Sequence, residues 1–408
     1  MGFFAGLKVT RTVMVESAHD YLQKHQLFDY RLLSTLGFQE EDVQALGQKE
    51  HVRAVEGAVE ADILYMCGEG NEGVLKALLK QINGLELVAG RMPETASECI
   101  VDANLYGEEA LGSKIILSEN NQQKDLNNFA FPEYTIVGIA QASAYIQFER
   151  GNSSLGNGRV DGFMYLLPQG FATDYYTEIY VKFDMDHRIY SPQYDAYMAE
   201  RKPQWKEYCQ EQGERRYLAV VKEIEAELAD ARKEPEREKG EAERELEEAE
   251  GEIAAIQKPR TYVLGRDTNV GYALFENDSS IVEGIANVFP VFFFLVAALV
   301  CMTTMNRMVE EQRTQIGVLK ALGHGNGNIM GKYLFYAGSA ALGGCAAGYF
   351  LGIIIFPVVI WKAYGMMYRL GNVVFVFDWL AAFLCLGASL LCSMGTTWVS
   401  CRHALKAS

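Results

Sequence analysis

The sequence lacks the residue spacings on which most catalytic and metal sites depend. Its eight cysteines form no Cys-x-x-Cys pair, and neither His-Glu-x-x-His nor Gly-x-Ser-x-Gly occurs in the 408 residues. These absences leave zinc sites, metalloproteases and serine hydrolases without support. We therefore expect no catalytic, cofactor-binding or metal site in this chain, and no enzyme activity of its own.

Charge is scarce in one half of the chain and abundant in the other. Residues 285–408 hold eight Lys and Arg and three Asp and Glu, while the whole chain carries a formal net charge of −16. The first 284 residues therefore carry −21. So acidic a chain is a poor binder of nucleic acid, and two such different halves indicate two different solvents.

Three long segments have no charged residue: 285–306, 333–361 and 379–401. They contain 22, 29 and 23 residues, and about 20 apolar residues suffice to cross a bilayer core of ~30 Å. We predict three transmembrane spans, with Pro357 ending or kinking the second one near the membrane surface. Because ion and proton pathways usually need charged groups inside the membrane, a transporter with a mid-membrane substrate site is disfavoured.

The basic residues predict the orientation of the spans. The 307–332 link between the first two spans contains four Lys and Arg, and two more lie in the C-terminal tail. The 362–378 loop between the second and third spans contains two. Short loops rich in Lys and Arg stay in the cytoplasm. We therefore place 307–332 and the tail inside, and 362–378 and the first 284 residues outside.

The chain begins with an apolar segment that is too short to span. Met1–Leu7 has neither the basic start nor the long apolar run of a signal peptide. We interpret it as the outer end of a span whose beginning is missing, so that 1–27 is a stump followed by a membrane-proximal helix.

Residues 28–194 are predicted to form a mixed α+β domain. Apolar and polar residues alternate over 177–184, which is typical of a half-buried strand. Two short helices are predicted at 40–48 and 72–81. The other predicted strands are 30–35, 52–66, 98–102, 114–118 and 134–146.

Residues 195–258 change to a composition rich in Glu, Lys, Arg and Ala. Apolar residues are spaced four and three apart over 217–231 and again over 242–256, which is the a/d stripe of a coiled coil. Pro235 lies between the stripes, where a helix should break. We predict a protruding antiparallel helical hairpin, followed by a segment, 259–284, that returns to the membrane.

An amphipathic helix is predicted at 308–323, just inside the cell. Gly323 is a suitable C-terminal stop. Such a helix can lie at the membrane surface or dock in a groove of a partner, and spacing alone leaves both open. Its candidate coupling residues are Met308, Glu310, Glu311, Arg313, Gln315, Ile316, Leu319, Lys320 and Leu322.

Gly344, Gly348 and Gly352 are spaced four apart in the second span. Such a stripe of small residues lets another helix approach closely, so we expect a helix-packing face, with its partner in this chain or in another one.

A glycine-rich stretch at 323–333, GHGNGNIMGKY, is superficially like a phosphate-binding loop. A phosphate loop needs Gly five positions before its Gly-Lys pair and a hydroxyl residue after it. Asn326 and Tyr333 occupy those positions. If ATP is used, another subunit must therefore bind it.

Several stretches resemble the FtsX-like/MacB-like ABC transporter permease family. The segment NRMVEEQRTQIGVLKALG at 306–323, followed by GGCAAGYFLG at 343–352, carries the resemblance. It extends to 262–294, GRMPETASECIV at 90–101 and YTIVGIAQ at 134–141. The chain is most similar to the large Firmicutes permeases with an extracellular coiled coil.

The resemblance implies a multi-pass protein of the bacterial plasma membrane, paired with a second copy or a second permease half. It also implies that a cytoplasmic ATPase docks on 310–323 and drives an outer domain that acts on an unknown external substrate or protein. Gln315 stands where the family often has Glu, so the docking charges differ.

The expected function is mechanotransmission for export or extraction of a lipid, peptide or lipoprotein. The alternative is an FtsX-type adaptor that activates a cell-wall hydrolase. The expected fold is an α-helical transmembrane bundle of three spans and a stump, with an extracytoplasmic α+β domain and a helical hairpin.

Overall fold

The computed structural model describes residues 2–67, 69–77, 81–155, 158–231 and 258–406. It divides into two compact units. The helical unit comprises Met1–Asp20 and Phe275–Ser408, and the sheet unit comprises Tyr21–Leu274. The chain passes from one unit to the other inside two helices, α1 and α5, whose bounds are Gly2–Lys24 and Val270–Glu311.

Five helices contribute to the helical unit. They are α1, α5, α6 (Arg313–Ala321), α7 (Asn326–Tyr364) and α8 (Trp379–Lys406). Among the described residues, three of them, α5, α7 and α8, are long and apolar enough to cross a membrane. The three predicted spans are confirmed. Pro357 does not end the second one, because α7 continues through it to Tyr364.

Helix α1 packs as a further member of the helical bundle. Ala5 is buried in one cluster with Cys345 of α7 and Cys385 of α8. Val9 and Val13 are buried against Ala381 of α8. The apolar start and the helix predicted after it are therefore one continuous helix, whose first turns pack between two spans.

Among the residues that the structure describes, the sheet unit has eleven strands and three α-helices in a mixed α+β order. The helices are α2 (Glu40–Gly47), α3 (Gln123–Leu126) and α4 (Pro192–Ala231). The strands are β1 (Tyr30–Phe38), β2 (Val52–Ala58), β3 (Glu60–Cys67), β4 (Glu69–Ala77), β5 (Leu85–Gly90), β6 (Glu98–Asp102), β7 (Lys114–Leu117), β8 (Glu133–Ala142), β9 (Gly162–Leu166), β10 (Tyr176–Phe183) and β11 (Thr261–Gly265).

Seven of these strands form a sheet that closes on itself. Its order is β5-β8-β6-β9-β4-β3-β7, and β7 also pairs with β8. Six strands therefore form a ring, to which β5 adds an edge. Residues of alternating strand positions fill its interior, among them Ile63, Val101, Ile115, Ile136 and Met164. Closure hides strand edges that would otherwise be exposed to other chains.

A second, antiparallel sheet has the order β11-β1-β10-β2. One of its faces is covered by α2 and by the first part of α4. Tyr30 and Phe183 of the sheet pack edge-on, and Trp205 of α4 packs against Phe183. Cys209 is fully buried in the same cluster, so residues from 195 to about this point belong to the core of the unit rather than to a protruding hairpin.

Two predictions in the sheet unit were wrong. Residues predicted as a helix at 72–81 lie in strand β4 as far as Ala77, because this segment pairs along its length with β3 and β9. Such pairing overrides a local helix preference. The single strand predicted at 52–66 is two strands, β2 and β3, which belong to different sheets.

The predicted hairpin is described only in part. Its first stripe, 217–231, lies in helix α4. The predicted turn at Pro235 and the second stripe, 242–256, lie outside the described residues. The other predicted strands and the short helix at 40–48 are confirmed with small shifts of their bounds.

Candidate functional site

The predicted coupling segment is two helices joined by one residue, Gln312. Helix α5 ends at Glu311 and α6 begins at Arg313. The side-chain oxygen of Gln312 accepts a hydrogen bond from the Tyr333 hydroxyl at 2.8 Å, and the Lys332 ammonium lies 3.5 Å away. Both donors belong to α7, so the bend is tied to the next span.

Helix α6 ends in a glycine cap. Gly323 has a φ of +87°, a conformation that favours glycine. Its N–H donates to the Lys320 carbonyl at 3.0 Å, and the N–H of His324 donates to the Leu319 carbonyl at 3.1 Å. This pair of bonds is the Schellman motif, which satisfies carbonyls at a helix end. The predicted stop at Gly323 is confirmed.

The inner face of α6 packs on the ends of the spans. Ile316 is 4% exposed and lies in a cluster with residues of α5, α7 and α8. Leu319 and Met308 are partly buried against the same cluster. The other buried members are Met305, Val309, Ile329, Tyr333, Ala337 and Cys401. This packing fixes the position of α6 relative to all three spans.

The outer face of α6 is exposed and has an apolar centre. Val318 and Leu322 are 56% and 71% exposed. They lie four residues apart, on the same side as Gln315, which is also exposed. Glu310 and Arg313 are exposed beside them, and Lys320 is half-buried.

The structure therefore divides the predicted coupling residues between two faces. Sequence reasoning grouped Ile316, Leu319 and Leu322 on one face, but Ile316 and Leu319 point into the bundle and Leu322 points away. Leu322 follows Ile316 by six residues, which at 3.6 residues per turn is about 120° away around the helix axis, so the predicted face was drawn too wide. Val318 was missed, although its position four residues before Leu322 was a usable signal.

The glycine stripe in α7 meets α1 at two of its three positions. A Cβ atom on Gly352 would overlap the backbone of Gly2, and one on Gly2 would lie 2.7 Å from the Gly348 carbonyl oxygen. A Cβ on Gly6 would lie 2.7 Å from the Gly352 carbonyl oxygen. Gly344, in contrast, has no such neighbour within 4 Å.

Glycines on both helices thus allow this close crossing. Gly2 and Gly6 are also spaced four apart, a signal that the analysis of the first residues overlooked.

The sheet unit has a buried charged cluster around Asp29, which is fully buried. Its carboxylate forms an ion pair with Arg266 at 2.8 Å and accepts hydrogen bonds from the Tyr194 hydroxyl at 3.1 Å and from the Phe183 N–H at 2.9 Å. The Lys182 ammonium lies 3.3 Å from the same carboxylate. Asp29 therefore joins β1, β10, α4 and the connection that precedes α5.

The two cations of this cluster also bond to backbone carbonyls. Arg266 donates to the carbonyls of Phe28 and Leu27, and Lys182 donates to that of Leu27 at 3.0 Å. Burial lowers the pKa of Lys182 to about 8, and the charge of Arg266 is the second cause. The two cations share one carboxylate. Residues that follow α1 are thereby fixed to a residue that precedes α5.

Comparison with protein families identifies the C-terminal part of the chain. Residues 287–408 match the family described as FtsX-like permease C-terminal. The match confirms the resemblance that the sequence motifs indicated. Together with three helices that can cross a membrane, it identifies a multi-pass protein of the plasma membrane with an extracytoplasmic segment. A comparison with curated proteins finds no match.

Two solved structures resemble part of the chain at low similarity. The extracellular domain of the noncanonic ABC-type transporter YknZ from Gram-positive bacteria is 13% identical, covers 41% of this chain and 87% of its own, and has a TM-score of 0.27. The periplasmic region of MacB from Actinobacillus actinomycetemcomitans is 11% identical, covers 44% and 84%, and has a TM-score of 0.29. Scores this low do not establish a shared fold.

Proposed function

Because residues 287–408 are those of an FtsX-like permease, and such permeases are subunits of ABC transporters, we propose that this chain relays ATP-driven movement of a cytoplasmic ATPase to its extracytoplasmic sheet unit. The lack of charged residues in the spans supports a relay of movement over an ion or proton pathway through the bundle. Export or extraction of a lipid, peptide or lipoprotein is the work that the family resemblance favours.

The two faces of α6 carry this proposal. A coupling helix needs one face that is fixed to the spans and one that is free for a partner. Ile316 supplies the first by its burial among three other helices. Val318 and Leu322 supply the second, because two large apolar side chains are exposed beside the exposed polar residue Gln315. An apolar centre with a polar rim is typical of a docking surface.

A path from this face to the sheet unit follows from the helix bounds. Gln312 ties α6 to α7, and α5 runs without interruption from Glu311 back to Val270. The buried bonds between Arg266 and the carbonyls of Leu27 and Phe28 lie just before α5. A tilt of α5 would therefore act on the cluster around Asp29.

The test compares one double variant and two single variants of the full chain, expressed in its native membrane and affinity-purified. Val318→Asp with Leu322→Asp should reduce the nucleotide hydrolysis that co-purifies with the chain at least tenfold, because two charges would be buried in the apolar centre of the interface. Leu218→Asp is the matched control, since Leu218 is 66% exposed on α4; it should leave the co-purified hydrolysis unchanged.

Ile316→Asp separates docking from folding, because it should destabilise the bundle and lower the yield of the chain itself. The proposal fails if the Val318 and Leu322 variant retains the associated hydrolysis at the level of the Leu218 variant. Retained hydrolysis would favour the alternative hypothesis, in which the amphipathic helix α6 lies on the membrane surface.

A further inference from the structure

Residues 365–378 connect α7 to α8 and belong to no helix or strand. We call this connection the strap. Loops usually run over the surface of a protein with exposed side chains, but Tyr368 and Leu370 of the strap are only 3% and 4% exposed. The strap therefore packs on the helical unit, and the contacts that bury it involve two further helices, α5 and α1.

The first half of the strap is fixed to α5. The Tyr368 hydroxyl donates to the Asp278 carboxylate at 2.8 Å, and the Tyr368 ring packs edge-on against Phe275 with 5.2 Å between the ring centroids. Phe275 is 0% exposed and also packs edge-on against Trp361 of α7. Burial, followed by the bond to Asp278, raises the pKa of Tyr368, so its hydroxyl remains a donor at neutral pH.

The second half of the strap is fixed to α1. The N–H of Val374 donates to the Ser17 hydroxyl at 2.8 Å. Ser17 is 1% exposed and donates in turn to the Val13 carbonyl at 2.7 Å. The neighbouring Val373 packs against the cluster that contains Val9 and Val13. Because a backbone N–H that leaves water needs an acceptor, the bond to Ser17 fixes this part of the strap on α1.

The strap is also anchored to α7 and α8, whose ends it joins. Gly371 has a φ of +65°, a conformation that favours glycine, and its carbonyl accepts a bond from the Trp361 indole at 3.3 Å. At the far end, the Asp378 carboxylate accepts a bond from the Ala381 N–H at 3.0 Å, and its carbonyl accepts one from the Tyr349 hydroxyl at 3.0 Å. A displacement of α7 and α8 would therefore carry the strap with it.

We propose that the strap transmits displacement of α7 and α8 to α1 and α5, the two helices that continue into the sheet unit. Ser17 and Asp278 each lie three residues inside the helical unit, whose boundaries are Asp20 on α1 and Phe275 on α5. A displacement of the strap thus acts close to the point at which each helix leaves the bundle. Tyr368 is a positioning residue of this device. The inference rests on the proposed relay of movement and adds the contact through which the relay leaves the spans.

Hydrogen exchange of the full chain in phosphatidylcholine nanodiscs tests whether the strap links the two helices, and it needs no ATPase. Tyr368→Phe removes the bond to Asp278 but keeps the ring against Phe275. If the strap acts as one body, release of its α5 end should also loosen its α1 end, so that amides of α1 around Ser17 exchange faster by about threefold or more.

Ser17→Ala makes the reciprocal test, because it removes the acceptor of the Val374 N–H and should accelerate exchange in α5 around Asp278. Tyr336→Phe is the matched control, since it removes a hydroxyl from a tyrosine of α7 that is 57% exposed, and it should change neither helix. If each variant accelerates exchange only at its own contact, or if neither differs from the Tyr336 variant, the two contacts are independent and the proposal is overturned.

The role in the relay is tested with the ATPase that co-purifies with the chain. In the parent, a non-hydrolysable ATP analogue should change exchange at the outer ends of α1 and α5. The double variant Tyr368→Phe with Ser17→Ala should keep the co-purified nucleotide hydrolysis within about twofold, because α6 is unaltered, but should lose this nucleotide-dependent change. A double variant that keeps the change overturns the strap alone, whereas a parent without any change overturns the proposed relay and the role of the strap with it.

Discussion

The sheet unit buries charged side chains that pair with one another, whereas the spans of the helical unit carry no charge. In the helical unit, glycines bring the backbones of α1 and α7 into contact. Asp29 and Arg266 are 0% and 5% exposed, and a second buried pair joins Asp102 to Arg150 through two bonds of 2.6 and 2.7 Å. Directional bonds of this kind hold one arrangement, because any displacement leaves a buried charge unpaired.

Close apolar packing behaves differently, although a few polar bonds such as that from Ser393 of α8 to the Ala337 carbonyl of α7 also join the helices. In lipid, helices associate through van der Waals contacts and small residues, and packed helices can slide over one another by small steps. The contrast predicts that the helices of the helical unit tolerate small displacements more readily than the elements of the sheet unit do. The following predictions test this contrast, beginning with the largest expected effect.

Removing the central carboxylate of the buried cluster should have the largest effect. Asp29→Ala leaves Arg266 and Lys182 buried without their shared anion, which typically costs about 3–5 kcal/mol. Hydrogen exchange of the β1 and β10 amides in the full chain should therefore show a free energy of opening that is lower by this amount. Glu108→Ala, at an exposed position, should stay within about 0.5 kcal/mol of the parent. If both variants exchange alike, the cluster does not stabilise the sheet unit.

Substitution of a contact glycine should have the next largest effect. Gly352→Leu places a side chain on the backbone of Gly2, and overpacking of this kind costs about 1–3 kcal/mol. The thermal unfolding midpoint of the chain in detergent should fall by several degrees. Gly344→Leu adds the same side chain to the same helix where no neighbour lies within 4 Å, and should leave the midpoint unchanged. Equal shifts would mean that α1 is not held by this crossing.

Local properties of the sequence predicted a large part of this fold. A span is recognised by a charge-free run, and all three predicted runs lie inside the helices found. Strand β6 has the predicted bounds, and Gly323 caps α6 as expected, because alternation and a required positive φ are properties of a few neighbouring residues.

Features that depend on distant residues could not be predicted. Nothing in the segment around Asp29 indicates that its partner is Arg266, which is 237 positions away and arrives through the pairing of β1 with β11. The same holds for β4, whose helix-favouring sequence is overruled by its two neighbouring strands.

The candidate site was predicted as a segment but not as a surface. Burial of Ile316 depends on residues of α7 and α8 that fold back over it. The exposure of Val318 and Leu322 depends on the same packing, because it decides which side of α6 faces the spans.

The smallest expected effect concerns the pH dependence of the sheet unit. Burial lowers the pKa of Lys182 to about 8, whereas a lysine in an unfolded chain has a pKa of about 10.4. Between these values the unfolded chain binds the additional proton, so the free energy of unfolding rises as pH increases through this window, by at most about 1.4 kcal/mol per pH unit.

Lys182→Met isolates this contribution, because Asp29 keeps its bond to Arg266 and the cluster becomes neutral. Local opening of β10, measured by hydrogen exchange from pH 7 to 9 and corrected for the intrinsic rate, should become harder in the parent relative to the variant. The difference between the two should be flat below pH 7, where Lys182 is protonated in both states. A parent and variant with parallel profiles up to pH 9 would mean that the lysine titrates normally, and the sheet unit would then tolerate its excess buried charge without cost.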